Sequence, residues 1–240
     1  MNPLTASVNI EEIRNKLYDK LKPSGWGDKF KSFIMSEDFD KLLNALLREA
    51  QEGRRFTPVL KQVFRAFEEC PYKDLKVVIV GQDPYIFHQV ADGIAFSCSN
   101  VGKIEASLRY MYQAIEETVY PGQDYERTPD LARWSNQGVL MLNSALTTTI
   151  NKVGAHYEIW KPFMTFLFDL LGYNNSGLVW VFMGRKAEEW ADSLPDSHHK
   201  LFVSHPASAA HNKQERWECK DCFNEVNKLL KEFNNESIIW

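Results

Sequence analysis

Four apolar segments of this 240-residue chain each run into polar residues whose side chains could do chemistry. Asp83 offers a carboxylate that could activate water or stabilise a developing cation, and His205 could donate a hydrogen bond to a developing anion. Asn143 presents a donor and an acceptor side by side, which suits the edge of a base or an amide. Taken singly, each residue also has a structural explanation: a turn aspartate, a packed histidine, or an asparagine that caps a strand.

The four segments have the composition of buried strands, and helical patterns lie between them. They are Leu75–Val80, Gly138–Leu142, Gly177–Met183 and Lys200–Val203. This alternation predicts a three-layer α/β fold, with a central four-stranded parallel sheet and helices on both faces. Ligands of such sheets bind beyond the carboxyl ends of the strands. Gln82, Asp83, Asn143 and His205 are therefore expected to converge on one cleft.

Apolar residues at helical spacing predict the helices. These span Ile10–Leu21, Ser36 (as N-cap) to about Glu52, Pro58–Glu69, Lys103–Thr118, Trp160–Leu171, Lys186–Ser193, and Asn212 to about Phe233. No Pro/Gly/Ser-rich linker interrupts the chain. We therefore expect a single domain over residues 1–240, in which residues 1–55 form an N-terminal helical layer and residues 56–240 form the catalytic core.

The overall charge and hydropathy exclude two classes of protein. The formal net charge is −4, so the chain is not a non-specific basic DNA coat, and any nucleic-acid surface must be local. No apolar run approaches the roughly 20 residues that span a bilayer, and Met1–Thr5 lacks a signal-peptide pattern. These features predict an intracellular protein, cytoplasmic or nuclear, that is not attached to a membrane.

The four cysteines leave two interpretations open. Cys219 and Cys222 have the spacing of a metal or iron–sulfur pair, which Cys70 and Cys98 could complete. The pair lies in a helically patterned segment and no second close pair exists, which favours reduced thiols in a reducing compartment.

Four motifs follow one another along the chain: Gly81-Gln82-Asp83-Pro84-Tyr85, Gly93-Ile94-Ala95-Phe96-Ser97, Leu140-Met141-Leu142-Asn143 and His205-Pro206. Taken in this order, they resemble the signature of family 1 uracil-DNA glycosylases, of the uracil-N-glycosylase type. The resemblance implies an enzyme of base excision repair that flips uracil out of DNA and hydrolyses its N-glycosidic bond. It also implies roles for two residues: Asp83 would orient the attacking water and stabilise the cationic sugar, and His205 would hydrogen-bond uracil O2. No metal and no cofactor are implied, because hydrogen bonds would stabilise the leaving uracil anion.

The same resemblance assigns the uracil pocket. Asn143 would pair with uracil O4 and N3–H, and Tyr85 would occupy the space of a thymine methyl. Phe96 would stack on the flipped base, and Gln82 would line the pocket. Ser107 stands where the family uses a serine to bind backbone phosphate, and Pro206, Ser208 and Arg185 are further expected DNA contacts.

The chain departs from the family pattern where the family grips DNA. Ile86 replaces a histidine, Ala207 replaces a phosphate-binding serine, and Ala209 stands at the position of the intercalating leucine. We therefore expect a monomer that prefers single-stranded uracil-containing DNA, with a possible protein partner in replication or repair. Two alternatives remain at this point: a glycosylase for another modified base, and a non-catalytic DNA-binding or replication-scaffold subunit on a glycosylase fold.

Overall fold

The computed structural model describes residues 9–240, so the prediction made from Met1–Thr5 lies outside the described residues. The strands are β1 Phe56–Thr57, β2 Val77–Gly81, β3 Val139–Asn143, β4 Thr148–Thr149, β5 Val179–Met183 and β6 His199–Val203. The α-helices are α1 Ile10–Leu21, α2 Trp26–Ile34, α3 Glu37–Gln51, α4 Arg65–Glu69, α5 Ala106–Thr118, α6 Ala132–Ser135, α7 Tyr157–Asn174, α8 Arg185–Glu188, α9 Pro206–His211 and α10 Cys222–Glu232. Short 3₁₀ turns lie at Leu60–Gln62, Tyr72–Asp74, Ser99–Val101 and Ala191–Ser193.

Four strands form the central sheet, in the order β3-β2-β5-β6, and all neighbours are parallel. Every residue of β2, β3 and β5 is buried, as expected for parallel strands that are covered on both faces. The predicted fold class is confirmed, and each predicted strand lies within two residues of an observed one. β1 and β4 form a separate two-stranded antiparallel pair that was not predicted.

Helices cover both faces of the sheet. The connection from β2 to β3, which contains α5, moves along the sheet in one direction, and the connection from β3 to β5, which contains α7, moves in the other. Because both connections are right-handed crossovers, α5 and α7 lie on opposite faces of the sheet. On one face, Phe168 of α7 packs on Trp180 of β5, with ring centroids 4.9 Å apart. On the other face, Asn224 of α10 donates a hydrogen bond to the carbonyl oxygen of Thr118 at the end of α5.

The N-terminal helices pack on α7 rather than forming a core of their own. Phe33 of α2 lies 5.2 Å from Phe163 and 5.3 Å from Phe166 of α7, measured between ring centroids. The buried apolar side chains of α1 to α3 are continuous with those of the sheet. In α3, the Ser36 hydroxyl accepts a hydrogen bond from the Phe39 amide and caps the helix as predicted.

The helix predicted over Pro58–Glu69 is wrong in its first half. That half contains an extended stretch and the 3₁₀ turn Leu60–Gln62, and only α4 is helical. The chain enters this region as strand β1, whose pairing with β4 holds the backbone extended. Val59, at the start of that range, is 43% exposed.

The helix predicted from Asn212 to Phe233 is also too long, because only α10 is helical in that range. The preceding segment is irregular, with positive φ at Lys213, Lys220 and Asp221. It turns back towards the end of β6, where the Trp217 indole donates to the carbonyl oxygen of Ser204. That tertiary contact competes with a continuous helix.

Other boundaries differ by less. The helix predicted from Lys103 begins at Ala106, and the one predicted over Lys186–Ser193 divides into α8 and the 3₁₀ turn Ala191–Ser193. The helix predicted over Trp160–Leu171 is longer and extends over Tyr157–Asn174. Helices α2, α6 and α9 were not predicted.

The described residues contain neither a membrane-spanning helix nor a metal-binding cluster. From Asn9 to Trp240, no helix is both long enough and apolar enough to cross a bilayer. In the same range, no three His, Cys, Asp or Glu side chains are grouped so that they could hold a metal ion. All four cysteines are free and buried, so Cys70 and Cys98 do not complete a site with Cys219 and Cys222.

Candidate active site

The polar residues that follow β2, β5 and β6 line one open cleft of about 1050 Å³ at the carboxyl edge of the sheet. Strand register aligns these ends: Gly81 lies opposite Asn143, and Met183 lies opposite Val203. The predicted site residues on the cleft wall are Gln82, Asp83, Tyr85, Phe96, Ser107, Arg185, His205 and Ser208. The structure therefore brings together residues that are up to about 125 positions apart in the sequence.

The Asp83 carboxylate is held on one oxygen and open on the other. Its Oδ2 accepts two hydrogen bonds, both of 2.8 Å, from the amide of Gly154 and from the hydroxyl of Tyr157. Among the described residues, its Oδ1 is buried and has no hydrogen-bond partner. Burial raises the pKa of Asp83 above its ordinary value, although the bonds from Tyr157 and Gly154 act to lower it. A carboxylate fixed in this way, with one free oxygen and a raised pKa, suits a base that orients water.

A buried network lies behind Asp83 and ties it to the N-terminal layer. Glu49 of α3 is 2.6 Å from Nε2 of His156, and Nδ1 of His156 is 2.7 Å from the Thr147 hydroxyl. The Thr147 hydroxyl also accepts a hydrogen bond from the Trp160 indole, so the hydroxyl donates its own proton to Nδ1 of His156. Because Nδ1 is then an acceptor, Nε2 carries the ring proton and donates it to Glu49. Burial lowers the pKa of His156, although the neighbouring Glu49 carboxylate acts to raise it. The network positions the segment that runs from Gly154 into α7. The Gly154 amide and the Tyr157 hydroxyl of this segment hold Asp83.

These supporting residues were missed by the sequence analysis. Tyr157 is the first residue of α7, His156 is its N-cap, and Gly154 lies two residues before that cap. The available signal was a glycine with a histidine and a tyrosine two and three residues later, just before a predicted helix. Glu49 gave no such signal, because an acidic residue near the end of an amphipathic helix is ordinary.

His205 is oriented by its own backbone. It is the N-cap of α9, and its Nδ1 accepts a hydrogen bond of 3.1 Å from the amide of Ala207. Burial, together with the nearby His211, lowers the pKa of His205 to about 4. The imidazole is therefore neutral near pH 7, and because Nδ1 is an acceptor, Nε2 carries the proton. A neutral donor of this kind can stabilise negative charge without an ionised side chain.

The side chains predicted to bind the base are packed closely together. The ring of Phe96 lies 5.5 Å from that of His205, and the hydroxyl of Tyr85 donates to the carbonyl oxygen of Phe96 over 3.1 Å. Asn143 is only 9% exposed and lines a small cavity, about 10 Å³ in volume, behind Phe96 rather than the open cleft. A Cβ at Gly81 would approach Asn143 Oδ1 to 2.7 Å, so glycine is needed there.

A buried aspartate shapes the loop that carries Phe96. Asp92 is fully buried and accepts hydrogen bonds from the amide of Ile94 and the hydroxyls of Ser97 and Ser99. Arg65 neutralises it over 2.9 Å. These contacts hold Phe96 in a left-handed conformation, with φ of 65°, which an aromatic residue rarely adopts.

Gln82 and Arg185 flank the end of β5. Gly184, with φ of 89°, leaves room for both Gln82 and His205, since a Cβ there would approach Gln82 Nε2 to 2.7 Å and His205 Cβ to 2.8 Å. Arg185 is exposed at the first position of α8 and lines the cleft. Gln82 therefore lies beside His205, and Arg185 provides a cation at the rim.

The residues predicted to contact DNA differ in accessibility. Ser107 is 6% exposed, and Ser208 donates its hydroxyl proton to the carbonyl oxygen of His205. Pro206 is buried at the first position of α9, where a proline favours the start of a helix. Ala209, which stands at the position of the family's intercalating leucine, has no exposed surface, because α9 packs against α5.

Comparisons with known proteins identify the family. Residues 67–231 match the sequence model of the uracil DNA glycosylase superfamily, which is more than half of the chain. The chain belongs to the uracil DNA glycosylase superfamily. As the motifs predicted, it is a DNA glycosylase that excises uracil in DNA repair.

Relatives and solved structures agree with this family assignment. A uracil-DNA glycosylase of Acinetobacter baumannii is 30% identical over 232 residues, which cover 96% of this chain and 97% of that protein. One of Borrelia hermsii is 32% identical over 220 residues, covering 89% of this chain and 95% of that protein. The crystal structure of mimivirus uracil-DNA glycosylase superposes on this glycosylase with a TM-score of 0.82 at 26% identity, covering 97% of this chain and 89% of that one.

Proposed function

We propose that this glycosylase hydrolyses the N-glycosidic bond of a flipped uracil with Asp83 and His205, and that the reaction needs no cofactor. One observation carries the proposal. A carboxylate with a free buried oxygen and a neutral imidazole with a free N–H line the same cleft, and the imidazole lies beside the aromatic ring of Phe96. A water-activating group and an anion-stabilising group are the two functions that this hydrolysis requires.

The chemical step follows from these groups. The bond between C1′ and N1 breaks with its electron pair going to uracil, and Nε2–H of His205 donates to O2 as negative charge develops there. The carboxylate of Asp83 stabilises the cationic sugar, orients the water that attacks C1′, and accepts the proton that the water loses. Uracil leaves as an anion and the sugar becomes an abasic site, so the leaving group needs hydrogen bonds rather than a metal.

Specificity for uracil rests on Asn143 and Tyr85. An amide matches the acceptor O4 and the donor N3–H of uracil, whereas cytosine presents the reverse pattern. Tyr85 is held by its bond to the Phe96 carbonyl, and we assign its ring to the space that the methyl group of thymine would need. Phe96 stacks on the base itself, and Arg185, Ser107 and Ser208 bind the backbone phosphates.

The direct test is a count of abasic sites. Purified protein is incubated with single-stranded DNA that carries one uracil, and parallel reactions use cytosine or thymine at the same position. Abasic sites are expected at uracil alone. Absence of abasic sites with a folded protein would refute the assignment and favour a non-catalytic DNA-binding subunit.

A preference for single-stranded DNA is the second part of the proposal. The cleft-facing residues of α9 are Ala207, Ser208, Ala210 and His211, and the first three have short side chains. Extracting a base from a duplex costs a few kcal/mol, and short side chains do not fill the gap that it leaves. We expect kcat/KM to be at least about tenfold higher on single strands. A tenfold difference in kcat/KM corresponds to about 1.4 kcal/mol, which is less than the cost of extracting the base from a duplex. Equal values on the two substrates would contradict this part.

We further propose that the enzyme is an intracellular monomer, open to a protein partner in replication or repair. Four free cysteines support an intracellular location, because such compartments keep thiols reduced. The Y322L variant of mimivirus UNG has been crystallised in complex with UGI. That structure superposes on this glycosylase with a TM-score of 0.80 at 27% identity, and the match covers 92% of this chain and 90% of that one. Light scattering at micromolar concentration tests the monomer, and a dimer mass would refute it.

A further inference from the structure

An unusually exposed aromatic side chain lies on the rim of the active-site cleft. Phe87 is 56% exposed, and it is not among the side chains that pack against the core. Two other apolar side chains on the cleft wall are exposed, Val153 at 71% and Phe202 at 42%. The ring of Phe202 already stacks on Phe182, with centroids 5.5 Å apart and planes 18° apart. Phe87 is therefore the cleft aromatic whose surface is most available to a ligand.

The position of Phe87 is tied to the catalytic carboxylate. It follows Asp83 by four residues, and its carbonyl oxygen accepts from the Val90 amide in a turn. The neighbouring carbonyl of Ile86 accepts a 2.9 Å hydrogen bond from the amide of Asn151. The loop of Asn151 continues to Val153 and Gly154, whose amide holds Asp83. The loop of Phe87 is therefore hydrogen-bonded to the loop of Asn151, which in turn is hydrogen-bonded to Asp83. These bonds hold Phe87 close to the place where the flipped nucleotide must lie.

The chemistry of this rim fits a nucleobase. An exposed phenyl ring beside a site that acts on DNA offers a flat apolar surface, and aromatic side chains are the usual platforms on which bases of single strands stack. Arg185 lines the same cleft and can pair with a phosphate of the same strand. Position 209 is buried and cannot supply this contact.

We propose that Phe87 stacks on the nucleobase next to the flipped uracil and so holds single-stranded DNA in the cleft. The inference rests on the proposed function, and it adds a residue for substrate binding that the sequence motifs did not indicate. Phe87 does not act on the glycosidic bond. Its loss should therefore weaken DNA binding and leave the chemical step nearly unchanged.

The test compares four variants on a single-stranded oligonucleotide with one uracil. Phe87→Ala, Phe87→Leu and Phe87→Tyr are assayed by single-turnover kinetics at increasing enzyme concentration, which separates half-saturation from the maximal rate. Tyr173→Ala is the matched control, because Tyr173 is 73% exposed and lies about 24 Å along α7 from Tyr157 at the cleft. Stacking of one base predicts that Phe87→Ala raises the half-saturating concentration roughly 5- to 150-fold. Phe87→Tyr should stay within about twofold of the wild type, as should Tyr173→Ala, while Phe87→Leu should resemble Phe87→Ala.

A modified substrate identifies the stacking partner. When the nucleotides on both sides of uracil lack their bases, wild type and Phe87→Ala should have the same half-saturating concentration. A persistent difference would overturn the proposal, and so would wild-type behaviour of Phe87→Ala or Phe87→Leu on the complete substrate. A loss confined to duplex DNA would assign Phe87 to filling the duplex gap and would also overturn it.

A binding readout separates this proposal from the proposed function. An oligonucleotide with 2-aminopurine next to uracil is bound to Asp83→Asn, which should release uracil too slowly to consume it during the measurement, and to the double variant Asp83→Asn, Phe87→Ala. Quenching of 2-aminopurine by the first protein and not by the second is expected. Equal quenching would refute stacking whether or not uracil is released, whereas failure of release alone would refute only the catalytic assignment.

Discussion

Replacing Ala209 with leucine should destabilise this glycosylase without improving its action on duplex DNA. By resemblance, position 209 corresponds to the intercalating leucine of the family, and restoring that leucine would be the obvious way to improve duplex activity. In the structure, Ala209 has no exposed surface and α9 packs on α5. The hydroxyl of Tyr110 in α5 also donates to the carbonyl oxygen of Gln214, just beyond α9. A leucine at position 209 would therefore add three carbon atoms to space that is already filled.

The size of the effect follows from this packing. Inserting extra methylene groups into a filled core costs about 1–3 kcal/mol of unfolding free energy. For a chain of this length, each kcal/mol lowers Tm by about 2–4 °C, so Tm should fall by about 2–12 °C. Ala210 is the matched control, because it is the next residue of the same helix, is half-buried and lines the cleft. Ala210→Leu should change the unfolding free energy by about 0.5 kcal/mol or less.

Two assays decide the matter. Thermal unfolding compares both variants with the wild type, and single-turnover kinetics compare uracil excision from duplex and single-stranded DNA. We expect Ala209→Leu to lose stability and to keep the wild-type ratio of duplex to single-strand rates, and Ala210→Leu to raise that ratio. A stable Ala209→Leu protein with strongly increased duplex activity would show that position 209 reaches DNA, and the burial argument would be refuted.

Three further predictions concern the pocket. Asp83→Asn should leave uracil binding nearly unchanged and lower the single-turnover rate by about 10²–10³, because it removes charge stabilisation from the transition state; an unchanged rate would remove Asp83 from its role. Tyr157→Phe removes a hydrogen bond that lowers the pKa of Asp83, so that pKa should rise and the acidic limb of the pH–rate profile should move to higher pH. An unmoved limb would show that Asp83 ionisation does not control the rate. Asn143→Asp should admit cytosine and Tyr85→Ala should admit thymine; excision of uracil alone by both variants would refute the pocket assignment.

Sequence alone was sufficient for the sheet and for the convergence of its polar residues. Buried parallel strands appear as short apolar runs, and their carboxyl ends must share one edge, so the meeting of Gln82, Asp83 and His205 followed from local pattern and general topology. The cap at Ser36 was equally local. The strand patterns and the helix cap each depend on residues within a few positions of one another.

Tertiary structure alone decided how the site is supported and which residues are accessible. Glu49 reaches His156 from a helix about 107 positions earlier in the chain, and Tyr157 holds Asp83 across 74 positions. Ala209 is buried because α9 meets α5. The physical reason is the same in each case. The apolar pattern of a segment determines which of its faces is buried, but the partner that covers that face comes from a distant part of the chain and is set by the packing of the whole domain.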